Sequence, residues 1–279
     1  MNEVDLIQQN VTRHERIAHA YDDRHSEIYN SHEQKRLADL VEWITTEYIT
    51  TRLTENDEVK VLDFGCGSGN LTRHFLANGC NVIAADVTPS FLEMVRKLDP
   101  NRTQTHLLNG VDLAEFGDGT FDMVVTYSVL HHVPDYLHVV QEFARVTKPG
   151  GIILIDHEAS NQHWLKGTTL QEFRSKIPDN RSGLWYIKRM LSPMWWVKKV
   201  RKTLNPRYSE EGDIHVWPDD HVEWDKVRSV LEDHGVSIVR DEDYLLYQPH
   251  IPEEIYDQYK TGCADMHLIV AKKLSSPRA

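Results

Sequence analysis

The chain has 279 residues, enough for one sizeable core with an elaboration and few for two independent domains. Forty per cent hydrophobic and 27% charged residues, with 14 Gly and 11 Pro, exclude the fibrous and disordered classes. A net charge of −12 argues against a nucleic-acid partner, because phosphates are held mainly by Lys and Arg.

Cys66, Cys80 and Cys263 lie far apart with no C-x-x-C pair, which suggests neither a disulfide framework nor a zinc knuckle and fits a reducing compartment. The first ten residues lack the charge and apolar pattern of a secretory signal. The chain also has no run of about 18 apolar residues, so a cytoplasmic location is expected.

The segment AYDDRHSEIYN lies between two helical stretches and carries Tyr21 and Tyr29. SHEQKRLADLVEWITTEYI follows, with Ser31 and Gln34 spaced as a capping box and Leu37, Leu40, Val41, Ile44 and Tyr48 on one helical face. After the turn TENDE, VKVLDF reads as a strand, then a helix runs through Leu71, Phe75 and Leu76. NVIAAD is the second strand, and Thr88 with Pro89 predicts a helix start. QTHLLN, FDMVVTY, a helix from about Pro134 to Thr147 and GIILID continue the alternation. Such spacing specifies an α/β fold with a parallel sheet covered on both faces.

From Ala159 to about Asp220 no clear strand appears, and this stretch with Trp224 holds six of the seven tryptophans. A helix near 219–234, then VSIVRDEDYLLY and MHLIVAKKL, resume the pattern as closing strands, the last one antiparallel. The expected organisation is an N-terminal helical cap (1–58), a core (59–158), an inserted aromatic and basic lid (159–220) between the fifth and sixth strands, and a C-terminal helix with closing strands (221–279). The strands total seven.

The first strand breaks into VLDFGCGSGN, with Gly65, Gly67 and Gly69 at alternate positions before a helix. Such a turn brings backbone N–H groups and a positive helix end to a ligand. A dinucleotide fingerprint requires its third glycine at position 70, where this chain has Asn70. Asp86, at the end of the second strand, suits ribose hydroxyls with either ligand class.

The stretches VLDFGCGSG, ADVTPSFLEMV, FDMVVTYSVLHHVPD and EFARVTKPGGIILI occur in that order over residues 59–158. In these residues the chain resembles the class I S-adenosylmethionine-dependent methyltransferases, in particular their small-molecule, methyltransferase-11-like branch. The resemblance implies a Rossmann-like, doubly wound, mostly parallel sheet and S-adenosylmethionine as cofactor. It implies that Asp63, Gly65 and Gly67 lie along the methionine and ribose side, that Gly69 belongs to the same cofactor-binding turn, that Asp86 takes both ribose hydroxyls, and that Tyr127 and Ser128 line the cofactor. Where the family commonly has Gly-Asp-Ala contacting the adenine amine, this chain reads Asn109, Gly110, Val111, Asp112. Either Asp112 takes that role two positions late, or the backbone of Val111 does so alone. Family members often fold a segment before the first strand over the cofactor, which makes Tyr21 a candidate contact.

The implied function is methyl transfer to a small or lipid-like acceptor. A non-catalytic cofactor-binding protein is the alternative, and a nicotinamide-dependent oxidoreductase is a further one that Asn70 disfavours. A base is needed only for a protonated acceptor. Candidates at the carboxyl ends of the strands are His157 first and His131 second. His131 and His132, being adjacent, are expected to point apart, and DIHVWPDDH, with His215, Asp219, Asp220 and His221, reads as a loop into a helix cap, so no metal is assigned. Residues 184–207 contain no Asp or Glu. After Pro193, an apolar stripe of Trp196, Val197, Val200 and Leu204 opposes Lys198, Lys199, Arg201 and Lys202, the pattern of an interfacial helix suited to substrate selection or to peripheral membrane contact.

Overall fold

The computed structural model describes residues 3–50, 58–178, 189–209 and 212–275. Helix α1 (Glu3–Ile17) leads through a single turn at Tyr21–Arg24 into α2 (Ser31–Ile44). The cap of α2 is Asn30 rather than the expected Ser31. Its Oδ1 accepts from the His32 and Glu33 N–H groups, both at 3.0 Å, and its amide donates to the Ser26 and Glu27 carbonyls. Gln34, the expected box partner, donates instead to the Ile28 carbonyl and to Asn70 Oδ1.

The core continues as β1 (Lys60–Phe64), α3 (Asn70–Ala77), β2 (Asn81–Asp86), α4 (Pro89–Val95), β3 (Thr103–Leu107), β4 (Phe121–Tyr127), α5 (Tyr136–Val146) and β5 (Thr147–Ala159). Every residue of β4 is buried, as are Ile152–Ile155 of β5, which is the apolar signature of strands covered on both faces. Thr88 stands at the cap position of α4, but its side chain makes no cap bond; its N–H donates to Asp86 Oδ1 at 2.8 Å.

Beyond β5 come α6 (Thr169–Lys176), α7 (Pro193–Leu204), a small hairpin of β6 (Val216–Trp217) and β7 (Asp220–His221), α8 (Trp224–Asp233), β8 (Val236–Tyr244), α9 (Glu253–Tyr259) and β9 (Met266–Lys273). The hairpin occupies the residues where α8 was expected to begin. The sheet has seven strands in the order β3-β2-β1-β4-β5-β9-β8. Strands β1 to β5 pair in parallel, and β9 runs antiparallel to both neighbours.

One face of the sheet packs on α2 and α3 through Leu37, Val41, Ile44, Leu71 and Phe75. The other packs on α5 and α8 through Val140, Phe143, Trp224, Val227 and Leu231. A third apolar cluster, which the sequence pattern did not suggest, joins Leu170 and Phe173 of α6 to Leu245, Ile251 and Tyr259 of the β8–β9 connection. It roots the start of the inserted segment on the far edge of the sheet. No helix among the described residues is long and apolar enough to cross a membrane.

Candidate active site

At the end of β1 the Gly65 and Cys66 N–H groups donate to the Ala85 carbonyl at 2.8 and 3.0 Å, which turns the chain sharply across β2. Gly65 has φ +68° and Gly67 φ +50°, both left-handed. Gly65 is required on a second count, because a Cβ there would lie 2.5 Å from Val129 Cγ2. Gly69, also left-handed, caps α3 with its backbone and does not line the cleft that opens above the turn.

That cleft encloses about 930 Å³ of non-protein space, the open solvent at its mouth included. Asp63, Gly65, Gly67, Asp86, Tyr127, Ser128 and Tyr21 all line it. Asp86 accepts from the Gly67 N–H at Oδ2 (2.9 Å) and from the Thr88 N–H at Oδ1 (2.8 Å). Each oxygen keeps acceptor capacity for a ligand. Asp63 accepts from the Thr72 hydroxyl at 2.6 Å. Burial pushes the Asp63 carboxyl up to about 7, with Asp86 nearby adding repulsion, and burial raises Asp86 as well. Among the described residues, no Lys or Arg forms an ion pair with either carboxylate.

Val111 and Asp112 do not line the cleft. The Val111 N–H is spent on Asn109 Oδ1 at 2.7 Å, and Asp112 accepts from the Asn109 amide at 2.7 Å on the outer side of the turn. Leu108 and Gly110 supply that wall instead. Gly110 is left-handed, and a Cβ on it would meet Ile7 of α1 at 2.9 Å, so the helix presses on this turn.

Helix α1 contributes more than the sequence suggested. Ile7, Asn10 and His14 present one face to the cleft, and His132, which also lines it, meets the His14 ring edge-on at a centroid distance of 5.2 Å. The helical spacing of Ile7, Asn10 and His14 is the signal that could have found them. Glu15 fixes the helix on α4 by accepting from the Ser90 N–H at 3.0 Å.

The two histidines proposed as bases lie outside the cleft lining. Strand β5 carries a bulge between Asp156 and Glu158, and His157 occupies it with φ +66°. The bulge turns its ring inward, stacked on Tyr127 with centroids 4.4 Å apart and with Nδ1 3.1 Å from the Tyr244 hydroxyl. Burial lowers its pKa to about 4. His131 is engaged with Glu158, Nδ1 to Oε2 at 2.7 Å. Ser128 also has a positive φ, +59°, at the adjoining end of β4, so two non-glycine residues in this uncommon region flank the cleft base.

His131 and His132 do not point apart. The turn Leu130–His132 is a single 3-10 turn, and it brings the two rings to a centroid distance of 4.1 Å. Of the DIHVWPDDH stretch, it is Asp213 that approaches them. His215 and Asp220 bond each other, Nδ1 to Oδ1 at 2.5 Å, and the other nitrogen of His215 lies 3.1 Å from the Val133 carbonyl oxygen.

The sheet order, with an antiparallel β9 inserted next to β8 and a glycine turn after β1, defines the class I methyltransferase fold. Residues 62–155 match the family model described as a methyltransferase domain, and in this stretch the chain is similar to the class I S-adenosylmethionine-dependent methyltransferases. A ubiquinone biosynthesis O-methyltransferase from Xanthomonas euvesicatoria pv. vesicatoria is 34% identical over 115 residues, which cover 40% of this chain and 48% of that relative. The chain thus spans about half the length of the curated relatives it matches. Magnesium protoporphyrin IX methyltransferase from Synechocystis superposes with a TM-score of 0.51 at 15% identity, covering 88% of this chain and 85% of that one. A SAM-dependent methyltransferase from Methanosarcina mazei does so with 0.50 at 20% identity, over 82% and 98%. S-adenosylmethionine is the cofactor of this family, and the cleft suits it: two buried carboxyl groups, neither ion-paired to a Lys or Arg among the described residues, would face a molecule that carries a sulfonium and an ammonium.

Proposed function

We propose that the protein transfers a methyl group from S-adenosylmethionine to an oxygen of a small or lipid-like acceptor. The observation that carries this reading is the pair Asp63 and Asp86, buried at the cleft base beside a glycine turn and ion-paired with no Lys or Arg among the described residues. Bound there, S-adenosylmethionine would supply a methyl group already activated on a sulfonium, with the neutral thioether as the leaving group of an in-line displacement. The chain's own task is alignment and exclusion of water, and alignment alone is worth about 7 to 11 kcal/mol. Asp86 takes the ribose hydroxyls, Gly65 and Gly67 admit the close approach, Asp63 faces the positive end, and Tyr127, Ser128 and Tyr21 close the sides. The oxygen acceptor is supported by the curated relatives, which are O-methyltransferases.

Asn70 supports S-adenosylmethionine over a nicotinamide dinucleotide. It stands where the dinucleotide fingerprint needs glycine, is buried, and holds Gln34 through its side chain. Calorimetry with S-adenosylmethionine, its demethylated product and NAD tests the reading. One site per chain for the first two and none for NAD is expected. A mass-spectrometric search for cell-extract molecules that gain one methyl group separates an enzyme from a non-catalytic binder.

The 159–220 segment is the element we assign to acceptor selection. Its helix α7 leaves Met194, Trp196, Val197, Val200 and Leu204 exposed, between 43% and 81%, so the stripe does not pack on the domain. Lys198, Lys199, Arg201 and Lys202 are exposed too. An exposed apolar stripe beside a basic face is what a peripheral membrane helix presents, and an acceptor with an apolar body lies at such a surface. Residues 184–188 of the acid-free stretch lie outside the described residues. A cytoplasmic location is part of the same proposal, supported by three buried cysteines without a disulfide.

A further inference from the structure

Two loops meet beside the cleft. The 3-10 turn Leu130–His132 receives the 212–215 segment, whose Ile214 and His215 N–H groups donate to the His131 carbonyl at 2.8 and 3.0 Å. This docking brings Asp213 to the two imidazoles, and one ligand atom from each of His131, His132 and Asp213 lies within 4.8 Å of the others. Asp213 Oδ1 is 3.5 Å from His132 Nδ1 and 4.0 Å from His131 Nε2. Those separations are long for hydrogen bonds. The shorter matches what a shared ion imposes, since ligands about 2.1 Å from one centre in a tetrahedral arrangement lie roughly 3.4 Å apart, and the longer needs a shift of about half an ångström.

Each donor atom is also aimed by a second contact. Glu158, buried, accepts from the Val129 and Leu130 N–H groups at 2.8 and 2.6 Å and so is fixed as an acceptor. Its Oε2 accepts a hydrogen bond from His131 Nδ1–H at 2.7 Å, which sets the tautomer in which Nε2, the atom facing Asp213, carries the lone pair. A carboxylate holding the far nitrogen of a histidine is the usual outer contact of a metal ligand. The Ser209 hydroxyl donates to Asp213 Oδ2 at 2.5 Å and leaves Oδ1 toward the imidazoles. Gly212 offers the His132 ring a backbone hydrogen bond, but His132 Nδ1 is buried with no hydrogen-bond partner among the described residues, a cost that a ligand on that atom removes.

We infer that His131, His132 and Asp213 bind one divalent transition-metal ion. Two imidazole nitrogens and one carboxylate oxygen select zinc and its first-row neighbours over magnesium or calcium, whose sites are all oxygen. Three protein ligands leave a coordination position for water or for an anionic oxygen of a bound molecule. His132 lines the cleft, so the ion sits in its wall. It also ties the turn after β4 to the inserted segment, which makes that segment's closing residues metal-dependent.

The test uses the full chain stripped with a chelator, titrated with cobalt(II) and followed by its visible ligand-field absorption. One tightly bound cobalt per chain is expected, displaced by zinc. His132→Gln and Asp213→Asn are each expected to weaken binding by about 10-fold or more while leaving the far-ultraviolet circular dichroism unchanged. No saturable cobalt binding by the wild type overturns the site. So does wild-type cobalt affinity retained in both variants, because the ion then sits on others of the chain's 16 histidines. The readout needs no S-adenosylmethionine, so its result is independent of the methyl-transfer proposal.

Discussion

Tyr127 donates its hydroxyl to Glu33 Oε1 at 2.8 Å, joining the cleft wall to a helix 94 residues earlier. Glu33 is held by Arg36 in a two-pronged contact of 2.8 and 2.6 Å, and Arg36 reaches Asp156 at 2.8 Å. Tyr244 completes the group by donating to Asp156 at 3.0 Å. Tyr127→Phe removes one bond and leaves Glu33 paired, so a loss of about 1 to 2 kcal/mol in urea unfolding is expected. Glu33→Ala removes the acceptor of Tyr127 and the two-pronged contact of Arg36, which keeps Asp156 and Tyr244, so a larger loss of about 2 to 3 kcal/mol is expected. Equal losses in the two variants would show that Arg36 does not depend on Glu33.

Asp86→Ala removes the acceptor facing the cleft and also the partner of the Gly67 and Thr88 N–H groups. Cofactor affinity is expected to fall by roughly 1.5 to 3 kcal/mol. Calorimetry that finds unchanged affinity would falsify the assignment of Asp86 to the ribose.

Gly65 and Gly67 separate two demands on the same turn. A Cβ at Gly67 meets nothing within 4 Å, so Gly67→Ala carries only the left-handed backbone penalty, about 1 to 2 kcal/mol. Gly65→Ala carries that penalty and a 2.5 Å collision with Val129. Thermal denaturation is expected to rank Gly65→Ala clearly below Gly67→Ala.

His157 makes stability depend on pH. Its pKa is about 4 in the fold against an ordinary 6.5, so between those values the unfolded chain binds the extra proton. Stability therefore rises with pH across that window and is lost on acidification from about 6.5 toward 4. Asp63 acts in the opposite sense. Raised to about 7 from 3.8, it holds a proton in the fold, and its contribution falls as pH rises between those values. Comparing wild type with His157→Gln isolates the histidine: the variant is expected to lose about 1 to 3 kcal/mol less between pH 7 and 5. Parallel urea curves for the two proteins would mean that His157 is not the group responsible.

Helix α7 gives a prediction of its own. Wild type is expected to sediment with anionic liposomes at low salt, less at high salt, and less again with Lys198, Lys199, Arg201 and Lys202 changed to Gln, each charge being worth about 1 kcal/mol. A wild type left in the supernatant at low salt ends the membrane proposal.

The strand runs were legible because fully buried strands are continuous apolar words, such as FDMVVTY and GIILID, and the glycine turn was legible because its conformation restricts residue type. His157 was misplaced because a bulge has no periodicity to betray it: one extra residue in β5 turns the ring inward and aims Glu158 at the turn after β4. The Asn30 cap was missed by one position because Asn and Ser compete equally on sequence, and the contacts that decide it come from the preceding turn. The meeting of Asp213 with His131 spans a separation at which no local pattern operates; it depends on how the inserted segment returns to the sheet.

The placement of β9 between β5 and β8 has a consequence during synthesis. β5 ends at Ala159 and its partner begins at Met266, so about 107 further residues must leave the ribosome before that edge is covered. At 5 to 20 residues per second this takes roughly 5 to 20 s. Throughout, Ile152, Ile153, Leu154 and Ile155 form an open apolar edge, the kind of strand that pairs with whatever it meets. Nascent chains arrested within that interval are therefore the species that holdase chaperones should capture, and slower elongation should lower the yield of soluble protein.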